Sequence, residues 1–370
     1  MKIFRNILSA ALIIAVALSL PVFCLPINAG APSLSAKSAI LIDAEGLTIF
    51  EKNADARMGM ASTTKIMTAL VVTERLSPDT VVSIPPEAVN VEGSSVYLCE
   101  GELLTVEELL YALMLASAND AAVALAIAAA GSVESFAEKM NDRAYELGLR
   151  DTHFVNPHGL NHEEHYTTAR ELARITAEAL RYPSLRRIVA TPKTTIPQGI
   201  TPDSPEGAAE RYLYNHNKML RLYEGAIGVK TGFTKATGRC LVSAAERDGL
   251  TLIAVTLNAS DDWNDHSAML DYGYSLYERV TLFGVGEFTC SYPVTGGREQ
   301  YVTLANSQPI TLTLKKNRAK TECAVYSPQR FEFAPVTEGA LIATLHVSVG
   351  DAVATSPLIA AHGVEARKKK

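Results

Sequence analysis

Three short stretches of the 370-residue sequence carry groups that can cooperate in acyl transfer. Ser62-Thr63-Thr64-Lys65 sets a hydroxyl and an amine three residues apart, which is one face of a helix. A serine hydroxyl is a weak nucleophile without a base beside it. A lysine can be that base once burial or a second cation lowers its pKa. Ser117-Ala118-Asn119 adds a second hydroxyl, suited to relaying a proton to a leaving amine. Its amide can hold a substrate carbonyl and keep the lysine oriented. The plainer reading of Asn119 or Asp120 is a helix N-cap. Lys230-Thr231-Gly232 offers an exposed cation and a hydroxyl for a carboxylate, and a glycine that lets a substrate backbone approach a strand. The amide of the next residue, Phe233, and that of Ser62 would form a two-donor oxyanion hole. A Ser-x-x-Lys arises about once by chance in a chain of this length, so none of the three decides alone. Together they stand in one order, 55 and then 113 residues apart, at a helix start, an inter-helix corner and a strand end.

Those positions require particular elements. Residues 39–43 and 47–51 read as two strands around Ala44-Glu45-Gly46. Residues 62–75 read as a helix with Ile66, Met67, Leu70 and Val71 on its apolar face. Thr105 with Glu108 is a capping-box pattern that opens a helix to about Ala116, and a second apolar helix follows the polar break at 117–120 as far as Ala130. Asn119 and Asp120 at the middle of this apolar stretch argue against a membrane span and for two core helices meeting at a polar corner. Residues 134–147 form a helix stopped by Gly148, and Thr168 with Glu171 opens another to about Arg181. Residues 192–207 read as a turn-rich surface excursion. A strand at 226–232, a hairpin of 240–245 with 250–257 around Asp248-Gly249, and a closing helix at 263–277 complete the unit. From about Phe283 helical periodicity vanishes and short β-rich pieces recur, the mark of a small all-β domain over 283–370 after a first domain over 32–282.

The composition agrees with a globular, exported protein. Apolar residues make up 48% and charged residues 20%, far from the signature of disorder. Lys2 and Arg5, the apolar run 7–24 and Ala29-Gly30-Ala31 read as a signal peptide over 1–31. Phe23 before Cys24 argues against lipidation. Removing this segment lowers the net charge from −6 to −8, and Arg367, Lys368, Lys369 and Lys370 leave the rest at −12. An acidic body excludes nucleic acid as the expected partner. The basic tail predicts at most weak contact with an anionic membrane surface. Cys99, Cys240, Cys290 and Cys323 show no zinc-type pairing; Cys290 and Cys323 either bridge or remain free thiols. No cofactor is implied.

The three motifs are those of penicillin-binding proteins and class A β-lactamases. With Ala61, Asn119-Asp120-Ala121, Asn156-Pro157-His158-Gly159-Leu160, His165-Tyr166-Thr167-Thr168-Ala169-Arg170 and Phe233-Thr234, the sequence resembles the low-molecular-weight D-alanyl-D-alanine carboxypeptidases. The resemblance covers about 35–280 strongly and the remainder mainly by domain order. It implies an α/β fold of the α+β type: a β-lactamase/transpeptidase-like domain with a mainly antiparallel sheet flanked by helices, then the β-rich domain. It implies that Ser62 attacks the carbonyl between the last two D-alanines of a peptidoglycan stem peptide while Lys65 takes its proton. Ser117 and Lys230 help protonate the leaving D-alanine, and Lys230 and Thr231 hold its carboxylate. The amides of Ser62 and Phe233 stabilise the oxyanion, and β-lactams acylate the same serine.

The sequence departs from the family twice. Relatives often carry an arginine near Trp263-Asn264-Asp265 that helps bind the terminal carboxylate. Here His266 follows, and with His266 at the site its protonation would tighten binding. Relatives also often end in an amphipathic helix, which Pro357 and Gly363 break here. Three rival readings are weaker. A β-lactamase needs a glutamate-held water, and Glu163 and Glu164 lack the expected pattern. A non-catalytic wall-binding protein would not need the full set of reactive groups. A metal site from His158, His162, Glu163 and His165 would need a helix that Gly159 and Asn161 disfavour.

Overall fold

Strands with continuous rather than alternating apolar residues need cover on both faces. The computed structural model provides it; it describes residues 30–202, 204, 209–317, 323–326, 331–350 and 352–368. A hairpin of β1 (Ser38–Asp43) and β2 (Thr48–Lys52) leads through a 3-10 turn at Ala61–Thr64 into α1 (Lys65–Arg75). A short ribbon of β3 (Val81–Ser83) and β4 (Leu103–Thr105) precedes five helices: α2 (Val106–Leu115), α3 (Asn119–Ala130), α4 (Val133–Glu146), α5 (Ala169–Leu180) and α6 (Pro183–Ala190). The ribbon β5 (Lys193–Gln198) with β6 (Ala209–Tyr214) and the short α7 (Met219–Leu222) come next. β7 (Ala226–Thr234), β8 (Gly238–Arg247), β9 (Leu250–Ala259) and α8 (Asp262–Leu276) close the unit.

The first two strands and the last three make one antiparallel sheet in the order β2-β1-β9-β8-β7, so β7 is an edge strand. Successive side chains serve opposite cores. Ile40, Ile42, Val242, Ile253 and Val255 face the helical core with Ile66, Leu70, Phe136 and Leu172. Ala39, Leu41, Leu241, Leu252 and Ala254 face Met269 and Leu270 of α8. Each such large apolar side chain, buried on folding, contributes about 1.5–3 kcal/mol of transfer free energy. The bent pair α3 and α4 is the one apolar stretch with the length of a span among the described residues, and no single helix there is long and apolar enough to cross a membrane.

Several local readings need adjustment. The helix expected from Ser62 begins only at Lys65, because Thr63 and Thr64 turn their hydroxyls back on the carbonyls of Met60 and Ala61 at 2.6 and 2.8 Å and draw the first turn into 3-10 form. The capping box of Thr105 and Glu108 is complete. That of Thr168 is half made: its hydroxyl accepts from Glu171 N–H, while the Glu171 carboxylate serves the amides of Arg150 and Asp151 and the Thr152 hydroxyl. The excursion at 192–207 contains a strand, since β5 pairs with β6 along its whole length. Pro197 weakens the sequence signal for it, and the ribbon tolerates the proline because it has only two strands.

Beyond α8 the elements among the described residues are all strands: β10 (Tyr277–Phe283), β11 (Thr289–Thr295), β12 (Tyr301–Asn306), β13 (Ile310–Lys315), β14 (Cys323–Tyr326), β15 (Glu332–Phe333), β16 (Leu341–Val349) and β17 (Ala352–Ala360). β10 follows α8 directly and pairs with β13; the others form a six-stranded sheet around Val302, Leu304, Leu345 and Leu358. Arg279 reaches Glu45 at 2.7 Å, and the Lys316 ammonium donates to the Tyr274 carbonyl at 2.7 Å. The signal segment lies outside the described residues, except for its last two positions. So do Lys369, Lys370 and the Cys323 side chain, and with it the Cys290–Cys323 pairing. Arg367 is tied to the fold through the carbonyls of Gly296 and Gly297.

Candidate active site

The 3-10 turn, the α2–α3 corner and the edge strand β7 meet around a cavity of about 460 Å³ lined by Ser62, Ser117, Thr231, Gly232 and Phe233. Ala61 and Ser117 both have left-handed backbones, φ 47° and 60°, which a non-glycine residue adopts at a cost. These conformations place two hydroxyls, 55 residues apart in sequence, on one cavity wall.

Lys65 is fully buried, and its Nζ has three oxygens around it: Ser62 Oγ at 3.1 Å, Asn119 Oδ1 at 2.7 Å and the His158 carbonyl at 2.7 Å. Burial drives its pKa well below the usual lysine value, and the nearby Lys230 charge adds to the effect. In the neutral amine two N–H bonds satisfy Asn119 and His158, and the lone pair is left for the Ser62 hydroxyl proton. Asn119 is not a cap. It sits in the first turn of α3, with Ala118 at the cap position, and its amide nitrogen donates to the Glu92 carbonyl at 2.5 Å. Asp120 is not at the cap position either, although its Oδ1 accepts the first-turn amide of Ala121 at 2.9 Å. It accepts from Ser95 Oγ at 2.5 Å and from the amides of Val96 and Leu98 at 3.1 Å, and so fixes the loop whose Ser94 also lines the cavity. Arg211 braces the same loop. It donates to the Val96 and Tyr97 carbonyls from a buried ion pair with Glu102.

Two glycines are demanded by close approach. A Cβ on Gly232 would lie 3.0–3.1 Å from Met60 O, Ser62 N and Thr63 N. The bare backbone of β7 therefore sits directly against the turn that carries Ser62. Gly159, at φ +92°, would put a Cβ 2.0 Å from Ala61 O.

Lys230 differs from the sequence reading. It is 1% exposed rather than a free strand-end cation, with Nζ 3.1 Å from the Thr231 carbonyl, and burial lowers its pKa to about 7. It lies behind the cavity wall that Thr231 and Gly232 form. Phe233 is 65% exposed and stands at the rim. His266 is also displaced from its expected place. It is fully buried between Ser243 Oγ at 2.5 Å and Thr256 Oγ1 at 2.9 Å, and burial lowers its pKa to about 3. It is a neutral core histidine, which removes the expectation that its protonation tightens carboxylate binding.

The cavity instead presents His216, Arg239 and Asp262, which the motifs did not reveal, and Trp263, from the stretch near which relatives often carry an arginine. The His216 pKa is lowered by burial and by the Lys230 charge. Arg239 lies opposite Phe233 in the β7–β8 register, and the short turn after Thr234 was the available signal for it. The histidines weighed as metal ligands are otherwise engaged. His165 accepts the Val155 amide on Nδ1 and meets Thr64 Oγ1 at 2.7 Å on Nε2, and His158 Nδ1 accepts the Leu160 amide. Glu163 and Glu164 are exposed, and Glu163 borders a different hollow beside His162 and Tyr166.

A serine hydroxyl beside a buried lysine amine of lowered pKa, facing a bare edge strand across a cleft between a helical region and an antiparallel sheet, is the arrangement of a serine acyl-transferring enzyme of the penicillin-binding type. The chain belongs to the D-alanyl-D-alanine carboxypeptidase family, peptidase S11, whose model matches residues 26–261. It is 33% identical over 336 residues to the D-alanyl-D-alanine carboxypeptidase DacF of Bacillus subtilis, covering 88% of this chain and 85% of that one. Among solved structures it resembles the DD-transpeptidase of Streptomyces K15, with 36% identity and TM-score 0.62 over 67% of this chain and 100% of that one. It also resembles PBP3 of Streptococcus pneumoniae, titled a peptidoglycan synthesis regulatory factor, with 26% identity and TM-score 0.76 over 90% and 100% of the two chains.

Proposed function

We propose that this protein is a D-alanyl-D-alanine carboxypeptidase that removes the terminal D-alanine from peptidoglycan stem pentapeptides through an acyl-enzyme on Ser62. The observation that carries the reading is the Lys65 amine, buried, low in pKa and 3.1 Å from Ser62 Oγ. Ser62 Oγ bonds to the carbonyl carbon between the two D-alanines as its proton passes to Lys65. The oxyanion is held by the Ser62 and Phe233 amides. The tetrahedral species collapses with cleavage of the C–N bond, and Ser117 with Lys230 delivers a proton to the departing amine. Thr231 receives the substrate's terminal group beside the bare backbone of Gly232, and Asn119 keeps Lys65 aimed. Water then displaces Ser62 from the acyl-enzyme, and the oxygen recovers its proton.

β-Lactams, which mimic the D-alanyl-D-alanine end, acylate the same serine. A β-lactamase reading is not favoured: the one carboxylate lining the cavity among the described residues, Asp262, is engaged by Arg239. The protein acts outside the cytoplasm after removal of residues 1–31, ahead of a catalytic domain over 32–282 and a β-rich domain over 283–370. Its basic tail adds weak contact with the membrane surface. Quantitative release from membranes at low salt concentration fits this contact, and resistance to high salt does not.

The decisive experiment follows the intact mass of the purified protein over time after mixing with benzylpenicillin, with Ser62→Ala as control. A lasting adduct that the control lacks is expected, together with D-alanine release from a pentapeptide. An adduct that vanishes within seconds while penicillin is consumed would establish a β-lactamase instead.

A further inference from the structure

The cavity beside Ser62 holds one permanent cation among its described lining residues, and it comes from none of the three motifs. Lys65 and Lys230 lie behind the wall, and burial pushes both toward the neutral amine. His216 is likewise pushed toward its neutral form. A guanidinium stays charged at any working pH. Arg239 stands at the start of β8, opposite Phe233, with its side chain 44% exposed and lining the cavity. Both donors it spends locally, Nε at 3.0 Å and Nη2 at 2.8 Å, converge on a single oxygen, Asp262 Oδ1. Asp262 is itself nearly buried, and that oxygen also accepts the Trp263 amide at 3.1 Å. Among the described residues, Nη1 has no hydrogen-bond partner.

We propose that Arg239, held in place by Asp262, is the specificity-determining residue that receives the substrate's terminal carboxylate. This rests on the carboxypeptidase reading above. With the scissile carbonyl at Ser62 and the Phe233 amide, the carboxylate lies about one residue, some 3.5 Å of chain, further on. Thr231 supplies a hydroxyl there, and the unspent Nη1 edge of Arg239 supplies charge-assisted N–H donors. Asp262 has two opposed effects. It fixes the guanidinium against the cavity wall, and its negative charge weakens the pull on an incoming anion. The arrangement selects for a free carboxylate without binding the released D-alanine too tightly.

The test compares a peptide ending in D-Ala-D-Ala with its C-terminal carboxamide and takes the ratio of their kcat/KM values. Arg239→Gln is expected to reduce the wild-type preference for the carboxylate at least tenfold, chiefly through KM, and Arg239→Lys to retain part of it. Asp262→Asn keeps the guanidinium and is expected to leave the preference intact or raise it severalfold. An unchanged ratio in Arg239→Gln, or a collapse of the ratio in Asp262→Asn while Arg239→Lys behaves as wild type, would overturn the assignment. If Arg239→Gln fails to fold, the ratios in the other two variants decide by the same criteria. A wild type that releases D-alanine, with an unchanged ratio in the variants, sinks the role of Arg239 alone. A wild type inert to both peptides and to benzylpenicillin sinks the carboxypeptidase reading and the assignment together.

Discussion

Lys65 and Lys230 are two amines buried near each other, and each owes its low pKa first to loss of water. Lys65 is lowered further by the charge of Lys230, so the two lysines share one electrostatic problem. Replacing Lys230 by Met removes that repulsion and lets the Lys65 pKa rise. The acid limb of penicillin acylation is then expected to move to higher pH, with a lower rate at neutrality, as stopped-flow acylation across pH 5–9 would register. Stability moves the other way. A lysine that titrates near 7 in the folded protein and near 10.5 in the unfolded chain is disfavoured in the fold once the unfolded chain is protonated. The stability advantage of Lys230→Met therefore grows as pH falls from about 10.5 to about 7, reaches a few kcal/mol at most, and stays flat below. Melting curves at pH 7 and pH 10 test the sign. At this scale the sequence exposed the reactive types but not their burial. Ser62, Lys65 and Asn119 were legible because their motif needs them in contact. The burial of His266 depends on its packing against Ser243 and Thr256 of β8 and β9, and that of Lys230 on the tertiary fold around β7, and no sequence pattern records either.

The elements position these residues through backbone contact, and the edge strand is the clearest case. β7 approaches the 3-10 turn closely only because residue 232 has no side chain. Gly232→Ala would force a Cβ into Met60 O, Ser62 N and Thr63 N, none of which belongs to a flexible side chain that could yield. The turn must retreat by a few tenths of an ångström, and the Ser62 amide moves with it. Acylation is expected to fall by about a hundredfold, since small misplacements of reacting groups cost that much. The melting temperature should drop only slightly, because the contact lies at a sheet edge. Acylation kinetics and thermal unfolding of the same sample separate the two effects. Helices α1 to α5, α8 and the strands of the five-stranded sheet were legible from period and caps, since α2 and α3 carry long apolar runs and Thr105 completes its box, while the short α6 and α7 were not read. The β5–β6 ribbon was not, because its pairing is supplied by the tertiary neighbours of a proline-bearing stretch rather than by alternation. The first turn at Ala61–Thr64 was misread as α-helix for a related reason. Threonine hydroxyls bonding their own backbone compete with helical hydrogen bonds, and periodicity does not register that competition.

Over the whole molecule, the cavity draws only on the part that carries the five-stranded sheet and its two cores. All its lining residues lie between Ser62 and Trp263, before β10 begins at Tyr277. The similarity to the Streptomyces K15 enzyme covers all of that chain and only 67% of this one. The change of character near Phe283 was visible in the sequence, while the direct passage from α8 into β10 was not, since helix end and strand start share Leu276-Tyr277 without a break. The two parts touch through Arg279–Glu45, through Lys316, whose amide donates to Leu276 O and whose ammonium donates to Tyr274 O, and through Tyr277, buried in the core of Leu250, Leu252 and Met269. The polar contacts are mostly exposed, and exposed pairs contribute about 0–1 kcal/mol each, so Tyr277 is the buried link. A chain ending at Tyr277, which keeps that side chain, should therefore fold with a melting temperature a few degrees lower and be acylated by penicillin within about threefold of the full chain, as expected when variation stays away from the site. Intact-mass kinetics on both forms measure this directly. If the shortened chain folds, by its circular dichroism and cooperative melting, but acylates more than tenfold slower, the β-rich part acts on the site through the sheet. The route would then run from Thr313 beside Asp43 along β1 into β9 and β8, the strand that bears Arg239.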